Sequence, residues 1–152
     1  MTETVVLSGE AKEVALAEAQ AVLAMVQDDD RRFRLASLVA AASEGRVDGA
    51  DAQSLEELLE LGLQTGRVRA LYGPGGEQAA LATYRKLPAG AGAARAAREV
   101  SAALGSLAGR QLDAISLHVI GPGAFTLSVS AGGLELSVRL DRSGARIASV
   151  GA

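Results

Sequence analysis

Between Ile115 and Leu140 the hydrophobic pattern has a period of two. Ile115, Leu117 and Val119 alternate with Ser116 and His118; Phe125, Leu127 and Val129 with Thr126, Ser128 and Ser130; Leu134, Leu136, Val138 and Leu140 with Glu135, Ser137 and Arg139. Alternation of that kind puts the apolar residues of each run on one face of a strand. Glycine-bearing turns separate the runs, at Gly121-Pro122-Gly123, Ala131-Gly132 and Asp141-Arg142-Ser143-Gly144, and a last run, Ala145 to Val150, keeps Ile147 and Val150. Connections so short join antiparallel neighbours, because a parallel crossover needs a dozen residues or more. The stretch therefore predicts a four-stranded antiparallel meander with one buried and one wet face.

Upstream the period is 3.6. A helix is expected from Ser8 to Gln27, where Val14, Leu16, Val22, Leu23, Met25 and Val26 fill a wide apolar arc that Lys12 and Glu18 intrude upon. So wide an arc suggests two packing partners, one of them on another chain, with Val14, Val22, Met25 and Val26 as the association face. A second helix is expected from about Arg31 to Ser43, with Leu35, Leu38, Val39 and Ala42 as its stripe and Gly45 as its stop. The third is expected to start at a capping box, Ser54 with Glu57, to carry Leu55, Leu58, Leu59, Gly62 and Leu63, and to end at Gly66. Val68 to Tyr72 reads as either a short strand or an extended connector, and Gly73-Pro74-Gly75-Gly76 as a break. A further helix is expected from Glu77 to Leu87. Another should run from about Ala91 to Gly109, with Val100, Leu104 and Leu107 laid across the apolar face of the sheet. Helices first and strands last indicate an α+β fold, divided into an acidic helical region at 1–66 and a helix-plus-sheet region at 67–152 within one compact domain.

A helix followed by a four-stranded meander that ends in Asp141-Arg142-Ser143-Gly144-Ala145-Arg146-Ile147 resembles the C-terminal part of cystatin-like and NTF2-like proteins. The resemblance covers roughly 91–150 and rests on the order and spacing of elements. It implies a curved sheet that, with its helices, encloses a cone for a small ligand, catalytic groups or a dimer partner. Catalytic members place Asp and His inside the cone; here the inward positions are Ile, Leu, Val and Phe, so no acid–base pair carries over.

No constellation in the chain names a reaction. There is no cysteine, which removes disulfides, thiolate-bound zinc and thiol nucleophiles, and His118 is the single histidine. The glycine-rich loop at residues 73–76 is followed by no Gly-Lys-Ser/Thr, and Glu77 in the next helical turn would repel an anion. Asp28-Asp29-Asp30 lacks the spacing of a cation loop and reads as a helix start, with Asp30 as the cap. Arg31, Arg32 and Arg34 lie beside those aspartates, which cancel their field. Thr126, Ser128 and Ser130 are ordinary residues for an exposed sheet face, and His118 reads as one more polar residue there. Phe33, Tyr72, Tyr84 and Phe125 are too scattered to make a stacking platform, which argues against nucleic acid.

Charge is distributed more tellingly than any motif. Residues 1–66 carry 5 basic and 13 acidic side chains, and residues 67–152 carry 10 basic and 5 acidic, so the overall −3 conceals −8 against +5. The expected function is that of a non-enzymatic protein without cofactor or metal, working by self-association as a homodimer or by binding another protein. The alternative is a small-molecule or anionic ligand, held in a helix–sheet pocket or on a basic sheet face with Arg139, Arg142, Arg146 and His118. With 31 Ala, 13 Arg against 2 Lys, and no Asn, the composition suggests a GC-rich bacterial genome. The segment Met1–Glu10 has no basic region, and no apolar run approaches the roughly 18 residues of a membrane span, so a cytoplasmic setting is expected.

Overall fold

The computed structural model describes residues 3–152; residues 1 and 2, where the N-terminal segment read above begins, lie outside them. The chain separates into two compact units, one up to Ala91 and one from Gly92 to Ala152. It is mixed α+β, with five helices preceding a four-stranded antiparallel meander.

The first unit begins with β1 (Val5–Val6) and α1 (Gly9–Met25). α2 (Asp29–Glu44) follows, and β2 (Arg46–Val47) pairs antiparallel with β1. Gly45 makes that pairing possible: its left-handed backbone (φ 80°) ends α2 and turns its carbonyl to accept from the Leu7 amide at 2.9 Å. Two-residue strands carry no periodicity, which is why the pattern of the sequence does not announce them. The cap of α2 is Asp28, whose carboxylate accepts from the Arg31 amide at 2.8 Å, and not Asp30. Asp29 and Asp30 lie in the first turn, where negative charge complements the helix dipole.

α3 (Gly49–Gln64) starts after Asp48, more than a turn earlier than the Ser54–Glu57 capping box implies. Starting there buries Ala52, one turn before Leu55, and lengthens the stripe that continues through Leu58, Leu59 and Gly62. α4 (Arg67–Tyr84) is helical on both sides of a break at Gly73 (φ 73°, ψ −176°). The expected break is therefore one residue long. Val68 to Tyr72 is helix, not strand or connector, because Val68 is fully buried in the core and Tyr72 is tied to α1. Pro74 opens the second half, where it sacrifices no helical hydrogen bond. The core of this unit joins Val14, Leu38, Val47, Leu55, Leu59, Val68 and Leu87. α4 thus packs with α1 and α3, and a boundary at residue 66 would cut through this unit.

α5 (Pro88–Gly105) starts and stops about three residues earlier than expected. The strands are β3 (Leu112–Gly121), β4 (Ala124–Ala131), β5 (Leu134–Asp141) and β6 (Gly144–Gly151), in the order β3-β4-β5-β6. Val100 and Leu107 of the helical segment pack with Val129, Leu136 and Val138 as a second core, with Leu104 partly buried beside them. The helix-on-meander order expected over 91–150 is present.

Candidate functional site

The two faces of the meander differ in chemistry, and the register shows how. Ile115 pairs with Val129, Leu117 with Leu127 and Val119 with Phe125, so the apolar residues of β3 lie on the face that carries Val129. An α-helix is about 10 Å across, whereas four strands about 4.8 Å apart are nearly twice as wide. One helix therefore covers the central strands and leaves the flanks open. Val129, Leu136 and Val138 are buried, but Ile115, Leu117 and Val119 remain 61%, 59% and 72% exposed, and Val150 on β6 is also open. β3 is at the same time an edge: among the described residues no strand pairs with its outer side. Its ladder to β4 is regular from Ala114 to Val119, with irregularities only beyond those ends. Between the two bulges, the stretch from Ala114 to Val119 carries an apolar row and no charged residue or Pro, so it lacks the usual protections against pairing, and exposed apolar patches of this kind mark interaction surfaces.

The opposite face is polar in rows. Register aligns His118, Thr126, Arg139 and Arg146 across the four strands, and Ser116, Ser128, Ser137 and Ser149 beside them. His118 Nε2 lies 3.1 Å from Ser116 Oγ. A shallow depression of about 230 Å³ overlies Ser116, Ser128, Ser130, Glu135 and Ser137. The structure thus brings Arg139 and Arg146 together and sets His118 in the same row beyond Thr126. Arg142 stands apart in the β5–β6 turn. The two aligned arginines share one counter-charge, since Asp141 Oδ2 accepts from Arg139 Nε at 3.0 Å and from Arg146 at 3.1 Å. Asp141 also accepts from the Ser143 hydroxyl and amide, and these bonds, with the nearby arginines, hold its carboxyl below the ordinary range. The basic face is accordingly partly neutralised from within.

On α1 the expected association residues separate. Val14 is in the core, Val22 and Val26 are partly buried against it, and Met25 alone is well exposed. Glu18, which appeared to spoil the arc, is the informative residue: it is 1% exposed. Its Oε1 accepts from the Tyr72 hydroxyl at 2.8 Å, and Arg67 Nε lies 3.2 Å from Oε2. Burial, and then the hydrogen bond to Glu18, push the Tyr72 phenol up to about 12. Gly62 opens the space for this cluster, since a Cβ there would stand 2.7 Å from a Val68 methyl. An acidic residue at helical spacing within an apolar arc was the available signal; its partners, about fifty positions away, were not legible. With a carboxylate satisfied by a guanidinium and a phenol, the cluster is built to hold α1 and α4 together.

No protein-family model, curated protein or solved structure matches this chain.

Proposed function

We propose that the chain is a non-enzymatic association module whose docking surface is β3 and the apolar row it carries. The observation behind this reading is the exposure of Ile115, Leu117 and Val119 side by side on the regular stretch of an open edge strand. Such an edge offers main-chain hydrogen bonds for affinity and alternate side chains for specificity, which is how strand addition captures a polypeptide. Protein association was the expectation from the sequence; the surface proposed here is on the sheet instead of α1. A bacterial cytoplasm is the setting we infer, from the Ala- and Arg-rich, cysteine-free composition.

The test is capture from the native host's lysate on immobilised wild-type chain and on a chain carrying Ile115→Ser, Leu117→Ser and Val119→Ser. All three side chains are exposed, so the substitutions leave both cores intact. Retention by the wild type that the triple-serine chain loses supports the reading, and identical retention by the two overturns it.

A further inference from the structure

From Ile115 to Val119, β3 has a self-complementary pattern of polarity. We propose that β3 pairs antiparallel with β3 of another copy about a two-fold axis through Leu117, joining two four-stranded sheets into one of eight strands. The proposal rests on β3 being the docking surface and adds what docks there and in which register.

Residues directly opposite in an antiparallel pair share a face, so the registers that keep apolar opposite apolar are few. With Leu117 opposite the partner's Leu117, Ile115 meets the partner's Val119, Val119 meets the partner's Ile115, and Ser116 meets the partner's His118. Every residue from 115 to 119 finds a partner of its own kind, because the segment Ile-Ser-Leu-His-Val reads alike in polarity from either end. A two-fold interface requires this self-complementarity. A register centred on Ser116 sets Val119 against the partner's Asp113, and one centred on His118 sets Ile115 against the partner's Gly121. Both lose apolar pairs. The matched segment also falls within the regular ladder, Ala114 to Val119.

Charge favours the same mate. From Ala114 to Gly121 there is no Asp, Glu, Lys or Arg, so two identical strands meet without the repulsion a two-fold usually has to manage. The arginines of the polar face lie on β5 and β6. In the joined sheet Arg139 is five strand spacings from the partner's Arg139, about 24 Å, well beyond the Debye length of about 8 Å. The in-strand contact of His118 Nε2 with Ser116 Oγ is repeated across the axis, which gathers two hydroxyls and two imidazoles at the seam.

The chain has no cysteine, so single cysteines report the register directly. Directly opposed Cα atoms are about 4.5–5.5 Å apart, within the range a disulfide spans. Under mild oxidation Leu117→Cys should run as a covalent dimer on a non-reducing gel. Ile115→Cys alone should stay at single-chain mass, because its mate is displaced by four residues, about 13 Å. A mixture of the Ile115→Cys and Val119→Cys chains should cross-link. Sedimentation velocity of the wild type is run in parallel. A monomer throughout overturns the second copy as occupant, and a dimer that cross-links through Ile115→Cys alone and not through Leu117→Cys overturns the register. Either result can coexist with retention of host protein by β3, so failure here is distinguishable from failure of the docking surface itself.

Discussion

The hydroxyl of Tyr72 donates to the carboxylate of Glu18 at 2.8 Å, across 54 positions of sequence, and so fastens the short first half of α4 to α1. That half, from Arg67 to Tyr72, is bounded by left-handed backbone at Gly66 and Gly73, and six residues are too few for a helix to persist by themselves. Its order comes from Val68 in the core and from Glu18.

Removing the carboxylate should therefore cost the helical unit noticeably. Loss of one partner from a buried pair costs about 3–5 kcal/mol, but the Arg67 side chain is 38% exposed and regains water, so Glu18→Ala should destabilise by about 2 kcal/mol. Tyr72→Phe removes one charge-assisted bond and should cost about 1.5 kcal/mol. The double variant should cost less than the sum, because both changes cut the same bond. Urea titrations followed by helical circular dichroism measure all three.

Alkali should act on the same cluster. An unfolded tyrosine loses its proton near pH 10, whereas Tyr72 holds its proton to about 12. Between those values the unfolded chain is deprotonated first, so stability is intact below about pH 10 and falls as pH rises toward 12. Tyr72→Phe should shallow that decline without abolishing it, since burial also raises Tyr84. Thermal midpoints across that pH range give the comparison.

Gly90 is a site of close approach. A Cβ there would collide with the carbonyl oxygen of Tyr84, and main chain cannot swing aside as a side chain can. Gly90→Ala should destabilise by about 3 kcal/mol or more, against near-neutrality at Gly92, where a Cβ meets nothing within 4 Å. Paired denaturation curves for the two variants decide it.

Acid should loosen the β5–β6 turn. The carboxyl of Asp141 is held below its ordinary range chiefly by the Ser143 hydroxyl and amide, so its contribution is present above the usual carboxylate range and is lost as pH falls through the lowered value. The Ser143 amide resonance followed by NMR should titrate with Asp141. In Asp141→Asn that titration should vanish.

The order of the meander was legible because its signal is local: each of Phe125, Leu127 and Val129 alternates with a hydroxyl, and the turns that join the strands lie in the same stretch of chain. α2 was legible for a similar reason, with Leu35, Leu38 and Ala42 at helical spacing before Gly45. What escaped depends on distant partners. β1 and β2 are two residues each and exist through a pairing across some forty positions. Val68 to Tyr72, poor in helical periodicity, is helical because Val68 fills a hole beside Gly62. Ser54 and Glu57 have the spacing of a cap, yet burying Ala52 draws the helix past them. Of the candidate site, the rows of residues could be read from the chain, but the width of one helix against four strands, which leaves Ile115, Leu117 and Val119 open, is a property of the assembled unit.

The sheet has two unlike edges. β3 is regular from Ala114 to Val119, with its extra residues Asp113 and Ile120 outside that stretch, whereas β6 has an extra residue, Ala148, within the strand, where Ser137 pairs with Ser149 and Val138 already with Ile147. Joining β3 of one copy to β6 of the next would regenerate both edges at every addition, and a filament would grow without end. A seam of β3 with itself would use the regular stretch of β3 on both copies and leave β6, with its bulge inside the strand, facing outward. In such a seam the bulge at Ala148 would act as a chain terminator and would limit assembly to two copies.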